Sequence, residues 1–249
     1  MGQGVCTGIR DAAALAWKLD LVLRGLAEDS LLDAYCAERK PHAEAMINMS
    51  VELTRAWTIT DPAIAAARDA EMMASSGEQP PPFPGLADGI LHRGRDGQPI
   101  AAAGQLFVQG LAAYKGRTGR FDDVIGQGFV VMTVDADPGS VLTEAQLAFL
   151  ELIEARLVRV SSACKPDPEA VADLRGTYTR WFRERALRAV VMRPDYYVFG
   201  AAADLRDLPA VVDSLRHQLG GQSEACVPRG RPTPVASAVT LARPVLPAW

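Results

Sequence analysis

No stretch of the 249 residues approaches the ~18 uninterrupted apolar positions that a membrane-spanning helix requires. The opening residues, Met1-Gly2-Gln3-Gly4-Val5-Cys6, lack the basic start and apolar core of a secretory leader. The myristoylation pattern that Gly2 invites needs Ser or Thr where Cys6 stands. A basic field is missing too: 26 Lys and Arg against 30 Asp and Glu leave a net charge of −4, which offers nucleic acid no electrostatic footprint. The four cysteines, Cys6, Cys36, Cys164 and Cys226, never form a CxxC pair. Reduced thiols in a cytoplasmic protein are therefore expected, rather than a disulfide framework or zinc site. His42, His92 and His217 stand alone without ligand spacing, so no metal is expected. What the chain does have is apolar material: 49% of it, enough for one large domain or two of ordinary size.

The spacing of Leu15, Leu19, Val22 and Leu26 predicts a helix from about Gly8 to Leu26. Ala13, Trp17 and Leu21 make its other faces apolar as well. A helix apolar nearly all round is normally buried, yet nothing precedes this one to cover it. Exposed apolar surface around Leu15, Trp17, Leu21, Val22 and Leu23, and hence self-association, is the expectation. Ser30 and Asp33 resemble a capping box opening a second helix, which Pro41 should interrupt or restart. Asp61-Pro62 starts a third, reaching about Met73. Between Ala74 and Gly104 the Pro80-Pro81-Pro82, Pro84-Gly85 and Asp96-Gly97 signals predict a surface linker.

Beyond it the pattern changes. Gly128–Val134 predicts a buried strand, Thr143–Arg156 a helix and Leu157–Val160 a second strand. A helix between Pro168 and Arg185 comes next. A hairpin of Ala186–Met192 and Tyr196–Phe199 then leads to a helix over Leu205–Leu219, stopped by Gly220-Gly221. The order β-α-β-α-β-β-α is that of a thioredoxin-like domain. Its first turn, Asp135-Ala136-Asp137-Pro138, has no CxxC, so thiol–disulfide chemistry is unsupported. The Arg180, Arg183, Arg185 and Arg188 cluster is expected to be a solvated face. The proline-bearing tail after Gln222 is expected to be irregular.

Gly2-Gln3-Gly4-Val5-Cys6-Thr7-Gly8 is neither GxGxxG nor a P-loop. Glycines before a helix are most often a turn; the functional alternative is that unpaired amides and the helix's positive end face an electron-rich ligand. The stretch from Gly2 to Met46 contains this turn, Asp11-Ala12, Leu15-Ala16-Trp17-Lys18-Leu19, Leu31-Leu32, Tyr35 and Glu38-Arg39-Lys40-Pro41. It resembles the C-terminal flavin motif of the group A FAD-dependent aromatic hydroxylases. Phe83-Pro84-Gly85-Leu86, Gly104-Gln105-Leu106-Phe107, Phe121–Gly126 and Val191-Met192-Arg193-Pro194-Asp195-Tyr196-Tyr197-Val198 resemble the phenol-type members, which carry a thioredoxin-like C-terminal domain. Within that group the likeness is to 3-(3-hydroxyphenyl)propionate hydroxylases, with polyketide hydroxylases as near relatives.

The resemblance implies an α/β chain: residues 1–75 as the helical C-terminal remnant of an FAD-binding monooxygenase domain, 76–104 as linker, 105–220 as thioredoxin-like domain and 221–249 as tail. It implies FAD reduced by NAD(P)H, and a flavin C4a-hydroperoxide that hydroxylates a small phenolic substrate. Gly2, Gln3, Gly4, Val5, Cys6 and Thr7 are the implied flavin-facing residues; no catalytic acid or base carries over. Family members open with a GxGxxG-bearing dinucleotide fold that this sequence does not show, so activity of the chain alone is not expected. That fold would come from a missing N-terminal domain, and a homo-oligomer is the other partner considered. The alternatives are a non-catalytic thioredoxin-like binding or oligomerisation module, and an aromatic polyketide as substrate.

Overall fold

The apolar run behind the first glycines folds as one uninterrupted helix, α1 (Gly4–Leu23), which begins one turn earlier than its leucine spacing predicts. The structure, a computed structural model, describes residues 3–75, 83–100, 102–162 and 167–220. Gly2, Cys164, Cys226, the Pro80–Pro82 run and the tail lie outside the described residues. Instead of a capping box, a 3₁₀ turn over Asp29–Leu32 plants Leu31 in the core and runs straight into α2 (Asp33–Trp57). Pro41 does not break that helix. The residues around it hold the helix together: Glu38, Arg39, His42 and Met46 are all buried along one side. α3 (Pro62–Ala74) starts as predicted, with the Asp61 carboxylate accepting from the amides of Ala63 and Ile64.

The strands are β1 (Leu111–Tyr114), β2 (Arg117–Arg120), β3 (Val130–Val134), β4 (Arg156–Ser162), β5 (Val171–Asp173), β6 (Ala189–Met192) and β7 (Val198–Ala202). They form one sheet in the order β2-β1-β5-β4-β3-β6-β7, with the short helix α4 (Phe121–Ile125) following β2. β3 and β4 run parallel, joined through α5 (Glu144–Leu152), while β6 and β7 return antiparallel beside β3. With α6 (Thr177–Glu184) before β6 and α7 (Leu208–Gln218) after β7, this is the thioredoxin-like arrangement. Alternate residues of β3 feed two cores, as a period of two requires. Val130 and Met132 face Tyr178, Trp181 and Phe182 of α6, whereas Val131 faces Leu150 of α5 and Val211 and Leu215 of α7.

Three elements depart from the sequence expectation. The helix foreseen between Pro168 and Arg185 is β5 followed by α6. Pairing with β4 and β1 extends Val171–Asp173, and Gly176 at φ +67° breaks the path. The buried Asp173 carboxylate then accepts from the amides of Thr177 and Thr179 at the head of α6. β1 and β2 were not foreseen; Lys115 and Gly116, both at positive φ, make their two-residue turn. Finally, the segment expected as a surface linker is built into the domain. Leu86, Ile90 and Leu91 are buried, and its backbone bonds along β7 through His92 N to Phe199 O and Gly104 N to Val198 O. It straps the edge strand that would otherwise present unpaired groups.

α1 is also not left uncovered. Trp17 and Leu21 pack into the core formed by Phe129, Leu150 and Leu215, with the Trp17 ring edge-on to Phe129 at 5.5 Å. The expected exposed patch therefore reduces largely to Leu23, which is 71% exposed. The sequence expectation failed because the cover comes from residues more than a hundred positions later. No helix of the described residues is long and apolar enough to cross a membrane.

Candidate functional site

The first turn of α1 stands open. Gln3, at the N-cap in helical conformation, makes no side-chain cap, and the first intrahelical bond runs from Thr7 N to Gln3 O at 2.9 Å. The amides of Gly4, Val5 and Cys6 thus precede the ladder and have no helical acceptor. No acidic side chain stands in that turn to neutralise its partial positive charge. A Cβ built at Gly4 or Gly8 would meet nothing within 4 Å, so both glycines leave bare backbone facing open space. An open cleft of about 600 Å³ separates this start from the second half of α2. Gln3, Gly4, Thr7, Gly8 and Asp11 line one wall, Met46, Ile47, Ser50 and Val51 the other. Of the sequence-predicted residues, Gln3, Gly4 and Thr7 line the cleft; Val5 and Cys6 are exposed beside it, and Gly2 is outside the described residues. This arrangement can accept an electron-rich group with backbone donors and needs no side-chain chemistry.

Behind the open end, α1 is gripped by a charge cluster. Glu38 accepts from Lys18 Nζ, from Arg193 Nη1 and Nη2 and from the Ile90 amide, each at 2.8 Å. Arg193 turns its other edge to Asp195 through Nε at 3.0 Å and Nη2 at 2.6 Å. Trp17 Nε1 donates to the same Asp195 at 3.0 Å. The Lys18, Glu38 and Arg193 side chains are fully buried, and Lys18 and Arg193 both lie over the Trp17 ring. Two cations meet two carboxylates, so the cluster is neutral. Burial alone would raise the Asp195 carboxyl, but the Arg193 guanidinium overrides it and holds the group below its usual range. Burial and the neighbouring Arg193 pull Lys18 down against the pull of Glu38. The cluster joins the Glu38-Arg39-Lys40-Pro41 and Arg193-Pro194-Asp195 stretches, which the sequence marks as motifs but cannot pair. A charged residue inside an apolar run, such as Lys18 beside Trp17 and Leu19, was the available signal.

A second pair sits nearer the cleft. Arg39 Nε donates to Asp11 at 2.7 Å and its Nη1 reaches the Tyr197 hydroxyl, which also lies 3.3 Å from His42 Nε2. Burial, then Arg39 and Arg10, lowers the pKa of His42, against the Pro84 backbone and Asp11; burial lowers that of His92. Both are held neutral, while an unfolded histidine titrates near ~6.5. Below that value the unfolded chain takes up protons that the folded one refuses, so stability is complete above it and declines as pH falls. The urea midpoint is expected to drop between about pH 7.5 and 5.5. A midpoint flat across that interval would contradict the neutral burial of these rings.

The thioredoxin-position turn is structural in its contacts: Asp137 caps the Pro138–Val141 turn by accepting from Gly139 N, and Pro138 is buried. Among the described residues no group of three metal-ligating side chains comes together.

Residues 1–50 match the family model of an FAD binding domain, and residues 104–218 that of the HcaD C-terminal domain. The chain is 37% identical over 240 residues to a probable NADH-specific resorcinol 4-hydroxylase of Rhodococcus jostii (strain RHA1), covering 95% of this chain and 42% of that protein. It is 30% identical over 250 residues to a 3-(3-hydroxy-phenyl)propionate/3-hydroxycinnamic acid hydroxylase of Mycolicibacterium smegmatis, covering 91% and 44%. The chain thus spans about two fifths of the length of these curated relatives. Among solved structures, the flavin-dependent monooxygenase PieE, in complex with FAD and substrate, aligns with a TM-score of 0.59 at 20% identity, over 88% of this chain and 45% of that one. Aklavinone-11 hydroxylase, in a ternary complex with FAD and aklavinone, aligns at 0.55 and 23%, over 88% and 41%. With both family models on one chain, and hydroxylase relatives aligned over nine tenths of it, the chain is related to a portion of the FAD-dependent aromatic hydroxylases.

Proposed function

We propose that the chain is the flavin-facing C-terminal part of an NAD(P)H-using monooxygenase that hydroxylates a phenolic ring. The observation that carries this reading is the open start of α1: unpaired amides at Gly4, Val5 and Cys6 and bare glycine backbone, within the stretch that matches an FAD-binding domain. Reduced flavin carries negative charge on its pyrimidine side, and fixed backbone donors at a positive helix end suit that charge without reorganising. The residues present therefore fit the cofactor, with Gly2 to Thr7 holding it and no side chain acting as acid or base. A flavin held there would supply acceptance of hydride from NAD(P)H and, with O₂, transfer of one oxygen atom to the ring while the other leaves as water. In this reading residues 1–75 complete a flavin domain and 105–220 form the thioredoxin-like domain, with the strap that begins at Phe83 held along β7 between them in sequence. A monocyclic phenol is favoured over a polyketide because the relatives at 30–37% identity are named for single-ring phenols. The chain shows no GxGxxG element, so turnover by it alone is not expected.

The test is a titration of the purified chain with FAD, with and without a polypeptide carrying the dinucleotide fold of a homologous hydroxylase. Saturable quenching of flavin fluorescence in either arm is the expected result. Free-flavin spectra in both arms, at high protein concentration, would overturn the reading.

A further inference from the structure

Four buried charges that touch neither the cleft nor solvent tie α1 to the thioredoxin-like domain. We propose that they form a positioning latch, with Arg193 at its centre, through which that domain sets where the flavin-facing start of α1 stands; the proposal rests on the flavin-facing role of that start. α1 has its buried anchors at one end only. Its buried residues, Ala14, Trp17, Lys18 and Leu21, all lie in the second half, while Gly4, Val5, Cys6 and Gly8 are not buried. Trp17 and Lys18 are consecutive, so they leave the helix about 100° apart, at 3.6 residues per turn. They bond different carboxylates, Trp17 to Asp195 and Lys18 to Glu38, and one guanidinium holds both acids. Two directional bonds so separated fix both the rotation and the height of the helix. Packing alone fixes neither as sharply, and apolar residues of similar volume would hold the joint at no cost in stability.

The leverage is large. Gly4 lies fourteen residues, or about 21 Å, from Lys18, so a tilt of about 10° at the latch carries Gly4 by about 4 Å. A hydrogen bond tolerates only about half an ångström between its short and long limits. The base of the lever is stiff. Arg193 N donates to Tyr197 O and Tyr196 N to Arg193 O across the turn from β6 to β7, and Arg193 Nη1 also reaches Ile90 O of the strap. On the cleft side of the latch α1 is held by the Asp11–Arg39 ion pair, and Arg39 leans in turn on Tyr197 of the same hairpin.

The test uses the full chain with Trp17→Phe, which removes the indole donor and part of the ring, and Arg193→Lys, which keeps the charge but not the fork. Amide hydrogen exchange reads the latch without any flavin. The expected result in both variants, with unchanged circular dichroism, is exchange at Thr7–Ala13 faster by about tenfold or more. FAD binding, alone or with the dinucleotide fold supplied, is expected to weaken by about fivefold or more. Faster exchange confined to residues 17–21, with Thr7–Ala13 unchanged, would show a merely structural joint and overturn the proposal. So would wild-type exchange and wild-type flavin affinity in Arg193→Lys. If the unaltered chain binds no FAD in either arm, the flavin reading fails, and the exchange pattern still decides whether the latch positions the helix start.

Discussion

Glu38→Ala is expected to destabilise the protein by about 3–5 kcal/mol, the range for breaking a buried ion pair and leaving its partners uncompensated. Here the removed carboxylate serves two cations and one amide, and none of the three has water to turn to. Against a total stability of about 5–15 kcal/mol, that loss decides whether α1 stays docked at 37 °C. Chemical denaturation is the measurement, with Trp17 reporting on the joint. A loss below about 1 kcal/mol would mean that Lys18 and Arg193 are solvated in solution. The companion change Lys18→Met/Glu38→Leu removes one charge of each sign and leaves Arg193 with Asp195, so it is expected to cost far less than Glu38→Ala. Acid acts on the same joint through Asp195. Because its folded pKa is depressed, its contribution is fully present above the unfolded value near ~3.9 and is lost as pH falls through the folded one.

Gly104→Ala is expected to cost about 2–5 kcal/mol, from two sources that add. Gly104 sits at φ +78°, where an L side chain is disfavoured by ~1–2 kcal/mol, and its Cβ would run into the Leu86 carbonyl oxygen, an overpacking worth ~1–3 kcal/mol. That oxygen is backbone and cannot swing aside. The Gly104 carbonyl accepts from Leu86 N and its amide donates to Val198 O, so a shift there opens the strap along β7. Loss of exchange protection at His92 and Val198 in the variant is the specific sign to look for. A variant as stable as the parent would show that the strap does not hold this path.

Much of the fold was legible because periodicity reports burial. The apolar runs of β3 and β6, the helical spacing of α5 and α7 and the Asp61-Pro62 start of α3 appear where their residues place them. β5 and the β1–β2 hairpin did not, because three- and four-residue strands of mixed polarity exist only through their partners. The strap was misread for a related reason: its prolines and glycines signal turns, and only the neighbouring β7 edge reveals why the chain is held there. At the candidate site the run of glycines could be read directly, but it forms the first turn of α1 rather than a turn ahead of it. The charge cluster could not, since neither Glu38 nor Arg193 carries any mark of the other.

The 155 positions that separate those two residues have a consequence during synthesis. At roughly 5–20 residues per second, Glu38 waits about 10–30 s after its own synthesis before Arg193 is made. For that interval Lys18 and Glu38 lack the guanidinium that bridges them to Asp195, and the docking that ends it closes a long loop. The latch on α1 therefore closes only after the turn from β6 to β7 has been made.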